Sequence, residues 1–483
     1  MNEGFDPEGR RLPIKLDGTS NGEFLPRPPP LVAQLANRLA LERAGANARR
    51  LGLSRRAFLK SLCGAAATLG AMNDAGAALG RVGGYFSMPR EAAFEPSAAA
   101  ALGGEELIFD VQGHHVNPLG SWRRWTNRWT YILRFFPQSD CGVGAVECFS
   151  AEHFIREIFL DSDTDLAVLS MVPAGPGDEP LLPEDAAATR ALVQAMEGRD
   201  RLLIHALVRP NVEGDVAAMA EQMARYRIDG WKTYTQWGPW WVGYWLDDED
   251  TGIPFIEQAR AVGAPIICVH KGISLFGMAE RYSGCRDVGV VAKRYPDVNF
   301  LIYHSGYQLD HDEGPYDPDR AVGVDSLIQS LLDNGVAPNS NVYAELGTTW
   351  RRLMTDSDQA AHLLGKLFKY VGENNVLWGT DSIWYGSPQD QIQAFRSFQI
   401  SDQFQERYGY PPITPELRAK VFGLNAVRAY RLSAESIRQR LGDDRVARIR
   451  ADYQRSPDPS FLTNGPRTRR EFLALHRAQR GLP

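Results

Sequence analysis

Eight short apolar runs, separated by stretches with helical periodicity, constrain the fold of this chain more than any other feature. Continuous apolar runs are typical of strands that are buried on both faces of a parallel sheet. Eight such runs interleaved with helices over about 300 residues predict an α/β fold, a (β/α)8 TIM-type barrel. The runs lie at residues 106–112, 165–172, 201–210, 228–236, 265–272, 299–306, 341–349 and 375–382.

The alternative architecture is a doubly wound open sheet. No GxGxxG motif follows the first run, so nothing indicates a dinucleotide site there. Amphipathic segments such as "PEDAAATRALVQAME", "GDVAAMAEQMARY" and "DQAAHLLGKLFKYVG" lie between the runs and predict helices. The barrel is therefore the favoured fold.

The charge balance limits the classes of partner. Fifty-three basic and fifty-nine acidic residues give a net charge of −6, and no basic block of the size that tracks phosphates is present. Nucleic acid is therefore excluded as an expected partner. Five cysteines without CxxC spacing argue against a zinc ribbon. Cys141 and Cys148 either pair in an oxidising compartment or are simply buried.

The N-terminal part contains a stretch typical of exported proteins. "SRRAFLK" (54–60) precedes "SLCGAAATLGAMNDAGAALG", a mild apolar run that contains an A-x-A site at residues 75–77. This pattern resembles a twin-arginine (Tat) signal, which predicts export to the periplasm with the Tat translocase as a transient partner. The run is too short and too rich in glycine for a stable membrane anchor after processing.

Composition and apolar periodicity divide the chain into four parts. Residues 1–53 are rich in Pro, Arg and Gly and are predicted to lack stable structure. Residues 54–80 form the signal segment, and residues 105–432 form the barrel, which carries aromatic-rich loop insertions. Residues 433–483 are predicted to be a helical extension.

Polar side chains mark the carboxyl ends of the predicted strands, where the reactive groups of a parallel barrel project. Imidazoles that converge from separate strands with one carboxylate suit a mononuclear divalent metal, with zinc the first expectation and manganese the second. A lone strand histidine is usually a hydrogen-bonded core residue, so the joint pattern carries the prediction. The marked positions are Gln112, His114, His205, Lys232, His270, Lys271, His304, Glu345 and Asp381.

These motifs together resemble the amidohydrolase superfamily. The resemblance is to its amidohydrolase-related group, which includes aminocarboxymuconate-semialdehyde decarboxylase and the resorcylate-type decarboxylases, and covers residues 105–432. It is carried by "FDVQGHH", "FLDSDTDLAVLS", "CVHKG", "IYHSG", "WGTDSIWYG" and "VFGLNAVRAYRL". The resemblance implies that His114, His270 and Asp381 bind the metal. It also implies that His304 assists the acid–base step.

Gln112 departs from the family pattern, because it stands where the strand 1 motif has its first histidine. A glutamine oxygen is a neutral and poorer ligand. Three explanations are open: Gln112 binds the metal weakly, His115 replaces it, or the site is degraded and binds no metal. Neighbouring side chains of an extended segment point to opposite faces, which disfavours His115. We favour a metal held by His114, His270 and Asp381, with Gln112 a marginal ligand.

This chemistry predicts a metal-dependent hydrolase in which Asp381 takes the proton of a metal-activated water and His304 stabilises or protonates the oxyanion. A non-oxidative decarboxylase in the same metal site is the alternative. Lys232 binds an anionic substrate, becomes carboxylated and bridges a second metal, or serves as a structural ion-pair partner.

Two aromatic segments, residues 121–136 and 234–248, follow the first and fourth predicted strands. They either cover the barrel or a subunit interface, or line a flat pocket for a planar or aromatic carboxylate-bearing substrate. Arginines in or near this face are candidates to bind that carboxylate. The predicted substrate-binding residues are Lys232, Arg124, Trp237 and Arg351.

Two rival classes of function remain open. One is a Schiff-base lyase in which Lys232 or Lys271 is the nucleophile. The other is a non-catalytic barrel that has lost its metal through Gln112 and binds a ligand. The partners left open by the sequence are a small-molecule substrate, the translocase during export and a second copy of the chain.

Overall fold

The central element is a parallel eight-stranded sheet in the order β2-β3-β4-β5-β6-β7-β8-β9. The computed structural model describes residues 12–15, 30–136, 141, 143–196, 199–274, 278–441 and 444–456. The strands are β1 (Gly84–Phe86), β2 (Phe109–Gly113), β3 (Leu166–Ser170), β4 (Leu202–Leu207), β5 (Gly230–Tyr234), β6 (Ile266–His270), β7 (Asn299–Tyr303), β8 (Val342–Glu345), β9 (Val376–Leu377) and β10 (Phe398–Ile400).

The two edges of this sheet meet and close it into a barrel. Val111 N donates to Trp378 O at 3.0 Å, and Asp381 N donates to Gln112 O at 2.9 Å. A parallel bridge joins Gly113 to Ser382. The predicted (β/α)8 barrel is therefore confirmed, and all eight predicted strands are present.

Helices follow the strands and surround the barrel, as the amphipathic segments predicted. The helices are α1 (Leu31–Arg50), α2 (Arg55–Leu59), α3 (Leu62–Ala78), α4 (Pro96–Ala99), α5 (Arg128–Ile132), α6 (Ala151–Ile155), α7 (Pro183–Ala195), α8 (Asp215–Tyr226), α9 (Gly252–Ala261), α10 (Val288–Arg294), α11 (Val324–Asp333), α12 (Thr349–Leu353), α13 (Ser357–Lys366), α14 (Gln389–Ser397), α15 (Asp402–Tyr408), α16 (Pro415–Ala419), α17 (Asn425–Ala429), α18 (Ala434–Leu441) and α19 (Arg445–Gln454). The strands are buried along their whole length, which explains why they are continuously apolar in sequence.

The N-terminal region differs from the prediction that residues 1–53 lack stable structure. Residues 31–50 form α1, a helix of 20 residues that packs against α3. Its buried face carries an alanine every fourth residue, at Ala36, Ala40, Ala44 and Ala48. Such small side chains let two helices approach closely. Residues 1–11 and 16–29 of this predicted region lie outside the described residues.

The predicted signal segment 54–80 folds into α2 and α3. Ser54 and Ser61 cap the two helices by accepting bonds from Ala57 N and Gly64 N. Most of α3 is buried, including Cys63, Leu69 and Ala75. Within the described part of the chain, no helix combines the length and the apolar character needed to cross a membrane.

Two further contacts tie the N-terminal region to the barrel. Strand β1 pairs antiparallel with β10, with Tyr85 opposite Gln399. Residues 12–15 lie against the barrel's carboxyl face, where Lys15 Nζ donates to Tyr385 O at 2.6 Å and Arg351 donates to Lys15 O at 2.7 Å. The region is therefore an integrated part of the fold.

The C-terminal region contains α18 and α19, which lie within the predicted helical extension 433–483. Arg450, on α19, donates to Phe159 O at 2.9 Å and so ties this helix to the segment before β3. Residues 442–443 and 457–483 of the predicted extension lie outside the described residues.

The docking of α1 predicts different effects for one substitution at two positions. Ala44 is fully buried and Ala46 is exposed on the same helix. Ala44→Asp would bury an unpaired carboxylate and should lower the free energy of unfolding by about 3 kcal/mol or more. Ala46→Asp should change it by less than about 0.5 kcal/mol. Urea unfolding of both variants measures this, and equal effects would contradict the docked helix.

Candidate active site

Five of the predicted residues converge at the carboxyl end of the barrel. Gln112 lies in β2, His114 and His304 lie just after β2 and β7, His270 ends β6, and Asp381 follows β9. All five are buried, with at most 5% of any residue exposed. The parallel strand ends bring residues 269 positions apart to the same place, as the barrel predicted.

The backbone is unusual where these strands end. His304 has a φ of 66° and Asp381 a φ of 61°, in the left-handed region that non-glycine residues rarely adopt. Glu345 holds the neighbouring turns, because its carboxylate accepts from His304 N at 3.0 Å and from Gly347 N at 2.6 Å. Backbone strain of this kind is concentrated at functional sites.

Each of three imidazoles donates one ring N–H to a backbone carbonyl, which fixes its tautomer. His114 Nδ1 lies 2.6 Å from Ser170 O, His270 Nε2 lies 2.5 Å from Ile273 O, and His304 Nδ1 lies 2.7 Å from Gly347 O. A carbonyl oxygen only accepts, so these three nitrogens carry the protons. Where such a ring is neutral, as in His270 and His304, its other nitrogen presents a lone pair.

Those lone pairs face one another. His304 Nε2 lies 3.1 Å from His270 Nδ1. Burial lowers the pKa of His304 to about 4, and burial with the nearby His304 and Lys232 lowers that of His270 well below its usual value. Both rings are therefore neutral at pH 7, and two lone pairs meet at a distance that is repulsive without a positive group nearby.

Asp381 completes the arrangement. Burial alone would raise the pKa of Asp381, but contacts with His114 and His304 and the hydroxyl of Thr348 lower it to about 2. Its Oδ1 lies 3.0 Å from His114 Nε2 and accepts from Gln112 Nε2 at 3.0 Å. The other oxygen accepts a short hydrogen bond from Thr348, whose hydroxyl lies 3.1 Å from Tyr385 OH.

The chemistry of these donors fits a divalent metal ion. Inward lone pairs, an ionised carboxylate and outer N–H groups tied to carbonyls are the usual surroundings of a histidine metal site. We call His114 Nε2, His270 Nδ1, His304 Nε2 and Asp381 Oδ1 the donor cluster. Among the described residues, however, no three His, Cys, Asp or Glu side chains are arranged so that they could hold a metal ion without moving. The amide of Gln112 lies among them.

Lys232 lies deeper in the barrel, on β5, and is fully buried. Its Nζ lies 3.6 Å from the centre of the Tyr303 ring and 4.6 Å from that of Tyr234. It has no hydrogen-bond partner among the described residues, so the interpretation as a structural ion-pair partner is wrong. Burial lowers the pKa of Lys232 to about 7. Lys271 is instead paired with Asp287 at 2.9 Å, both fully buried, which disfavours it as a nucleophile.

Three predicted substrate-binding residues have other partners in the structure. Arg124 is half exposed and forms an ion pair with Asp178. Arg351 donates to Lys15 O, and the backbone oxygen of Trp237 accepts from Asn211 at 3.0 Å. These contacts of the three residues lie outside the donor cluster.

His115 lies outside the donor cluster, as its position in an extended segment predicted. Its Nε2 lies 2.9 Å from the hydroxyl of Thr189, and its Nδ1 lies 3.1 Å from Val116 O. Burial lowers the pKa of His115 to about 4. The ring is neutral and forms part of the packing behind β2.

Sequence reasoning missed Trp384 and Thr348. Trp384 stacks on the His114 ring with centroids 5.2 Å apart, and Trp129, Phe136 and Phe149 pack around it. The first aromatic segment therefore covers the strand ends, in agreement with the covering interpretation. Trp384 could have been predicted, because it lies in the motif "WGTDSIWYG" three residues after Asp381. Thr348 could not, because nothing in "ELGTTW" separates it from the neighbouring threonine.

The comparison with protein families gives one match. The sequence pattern described as amidohydrolase matches residues 160–432, which is more than half of the 483-residue chain. The matched range contains β3 to β9 and the residues His270, His304 and Asp381. None of the curated proteins matches the chain.

Several solved structures are similar to the chain. An uncharacterized TIM-barrel protein from Bordetella bronchiseptica has 14% identity and a TM-score of 0.45 over 67% of this chain and 97% of that one. A 2,6-dihydroxybenzoate decarboxylase from Rhizobium has 12% identity and a TM-score of 0.41 over 68% and 99%.

A 5-carboxyvanillate decarboxylase from Novosphingobium aromaticivorans, complexed with manganese and 4-hydroxy-3-methoxy-5-nitrobenzoic acid, has 14% identity and a TM-score of 0.41 over 69% and 97%. At these identities and TM-scores, the likenesses carry no inference about activity or substrate.

The bond from Thr348 to Asp381 yields a test of the site. Thr348→Val removes the hydroxyl but keeps the shape, and should weaken zinc or manganese binding by about 10- to 100-fold, as loss of an outer hydrogen bond usually does. Thr348→Ser retains the hydroxyl and should bind within a few-fold of wild type. Calorimetric titration measures both, and a valine variant that binds like wild type would remove Thr348 from the site.

Proposed function

This chain belongs to the amidohydrolase family, and we propose that it is a metal-dependent hydrolase of a small, planar, carboxylate-bearing substrate. Membership makes the chain an enzyme, a hydrolase or a decarboxylase. The observation that supports a metal-dependent reaction is the donor cluster itself. The lone pairs of His270 and His304, the Nε2 atom of His114 and an ionised carboxylate lie together in a buried space.

His114, His270 and Asp381 would hold the ion, zinc or manganese, and the amide of Gln112 lies beside them. When bound, a divalent ion supplies Lewis acidity, which polarises a substrate oxygen and acidifies water. Asp381 is ionised and accepts the proton of the attacking water. Thr348 holds its second oxygen in place during that transfer.

His304 has a more restricted role than the sequence predicted. Its Nδ1 proton is committed to Gly347 O, and its low pKa leaves Nε2 unprotonated at pH 7. A neutral ring in this tautomer accepts a proton at Nε2 and cannot donate one from it. His304 therefore acts as a proton acceptor first, and protonates the product only after it has received that proton.

Lys232 supports the assignment of an anionic substrate. A fully buried amine without a hydrogen-bond partner lacks the counter-ion that buried lysines usually have. A substrate carboxylate would supply that counter-ion. Lys232 would thereby orient the substrate against the donor cluster, and it replaces Arg124 and Arg351 as the candidate for this contact.

The same residue favours a second candidate function, non-oxidative decarboxylation. Lys232 lies between two tyrosine rings and away from water. Dry surroundings disfavour a carboxylate charge. Breaking the C–C bond releases carbon dioxide and leaves the electron pair on the substrate carbon, and a proton taken up at that carbon then removes the charge. The decarboxylase alternative therefore stands beside hydrolysis, and the two differ in the product that they release.

Product analysis separates the two reactions. We expect metal-loaded protein to release protons without carbon dioxide from an aromatic lactone acid if it is a hydrolase. A decarboxylase would release carbon dioxide from a hydroxylated benzoate. Asp381→Asn should lower kcat by at least about 100-fold in either case, since it removes the base. The exposed Asp250→Asn is the matched control. Turnover that survives both a chelator and Asp381→Asn would contradict the metal-dependent mechanism.

We also propose that the chain is exported by the Tat route. The Cys141–Cys148 disulfide supports this, because disulfides persist in oxidising compartments. The buried helix α3 supports a form that keeps its signal segment, since cleavage after Ala77 would remove α1 and most of α3 from the fold.

The export proposal has a sharp test in the two arginine pairs of the sequence. Changing Arg55 and Arg56 to lysine should abolish the periplasmic pool, because the receptor reads that pair. The same change at Arg49 and Arg50, at the end of α1, is the matched control and should leave export unaltered. Fractionation with intact-mass analysis measures the pool and the N-terminus. Equal periplasmic amounts of both variants would contradict the signal.

A further inference from the structure

The side-chain amide of Gln112 lies against three of the four atoms of the donor cluster. Its Nε2 is 3.0 Å from Asp381 Oδ1, 3.4 Å from His114 Nε2 and 3.5 Å from His304 Nε2. An amide nitrogen only donates, and Asp381 Oδ1 and the lone pair of the neutral His304 ring are acceptors. The two N–H groups of Gln112 therefore occupy the place at which a cation would meet these acceptors.

The orientation of this amide follows from its neighbours. If the oxygen faced the centre, it would meet the ionised carboxylate of Asp381 and the lone pair of His304, so only the nitrogen fits there. The oxygen instead points away and has no hydrogen-bond partner among the described residues. It lies against Gly347, where an added Cβ would come within 2.3 Å of it. A glycine at that position leaves the space that this orientation needs.

We propose that Gln112 is a stand-in for the metal ion. Its amide nitrogen occupies the metal position in the donor cluster when no ion is bound, and an entering ion displaces it. The inference rests on the proposed metal-dependent function. It explains why a glutamine stands where the family pattern has a ligand. A histidine or glutamate there would add another lone pair to the centre, whereas a carboxamide adds two donors.

The proposal has two physical consequences. The folded chain does not need a metal to offset the repulsion between Asp381 and the lone pair of His304, because the amide lies against both. Metal binding is reversible and comparatively weak, since each ion has to break the hydrogen bond from Gln112 to Asp381 and turn the carboxamide away. The occupancy of the site therefore depends on the concentration of free metal ion.

Three variants test the proposal by binding and stability, without an activity assay. Gln112→Met keeps the approximate size but removes both the donor and any oxygen ligand. If Gln112 is a stand-in, the methionine variant binds zinc or manganese at least about threefold more tightly than wild type in calorimetry. If Gln112 is a ligand through its oxygen, the same variant binds more weakly, and the proposal is overturned.

The second variant, Gln112→Glu, replaces the donor with an acceptor. Its melting temperature should rise by about 5 °C or more when zinc replaces a chelator, whereas that of wild type should move by less than about 2 °C. Gln112→Leu repeats the methionine experiment should that variant fold poorly. A large effect of the chelator on the melting temperature of wild type would by itself contradict the proposal.

The outcomes distinguish this inference from the function on which it rests. If no variant binds either metal, including Gln112→Glu, the metal-dependent function fails and the stand-in fails with it. If wild type binds as tightly as Gln112→Glu and melts lower in chelator, the metal function stands and only the stand-in fails.

Discussion

The hydrogen bonds from three imidazoles to the carbonyls of Ser170, Ile273 and Gly347 determine the chemistry of this protein's strand ends. Each bond uses one ring N–H and turns the other ring nitrogen inward. Because the three carbonyls belong to strands or turns at the same level of the barrel, these nitrogens meet. The centre then needs a positive or proton-donating group, and the roles of Asp381 and Gln112 follow from that need.

The fold of the barrel could be predicted from sequence because each strand is buried on both faces and is therefore continuously apolar. The N-terminal region could not be predicted in the same way. Helix α1 buries alanines, which are too weakly hydrophobic to mark a face, and its charged residues suggested an unstructured region. Its docking depends on the equally small residues of α3, a partner that composition does not reveal.

The candidate site, like the fold, could be predicted from the sequence only where strand positions determine it. Gln112 and His114 are two residues apart in an extended segment, so the sequence places them on one face, and strand ends place His270, His304 and Asp381 nearby. Arg124 lies in a loop and Arg351 lies in the short helix α12. The register of the barrel strands does not determine which residues such side chains contact. Arg351, for example, donates to Lys15, which is 336 residues away in the chain.

The N-terminal region binds to parts of the chain that the ribosome makes much later. Lys15 contacts Tyr385 and Asp390, and β1 pairs with β10 at residues 398–400. During synthesis the contacts of residues 12–15 and of β1 with the barrel therefore cannot form until residues 385–400 have emerged. Helices α1 and α3 already have each other as partners at that stage. The order of synthesis thus delays the attachment of this helical pair to the barrel until most of the chain has been made.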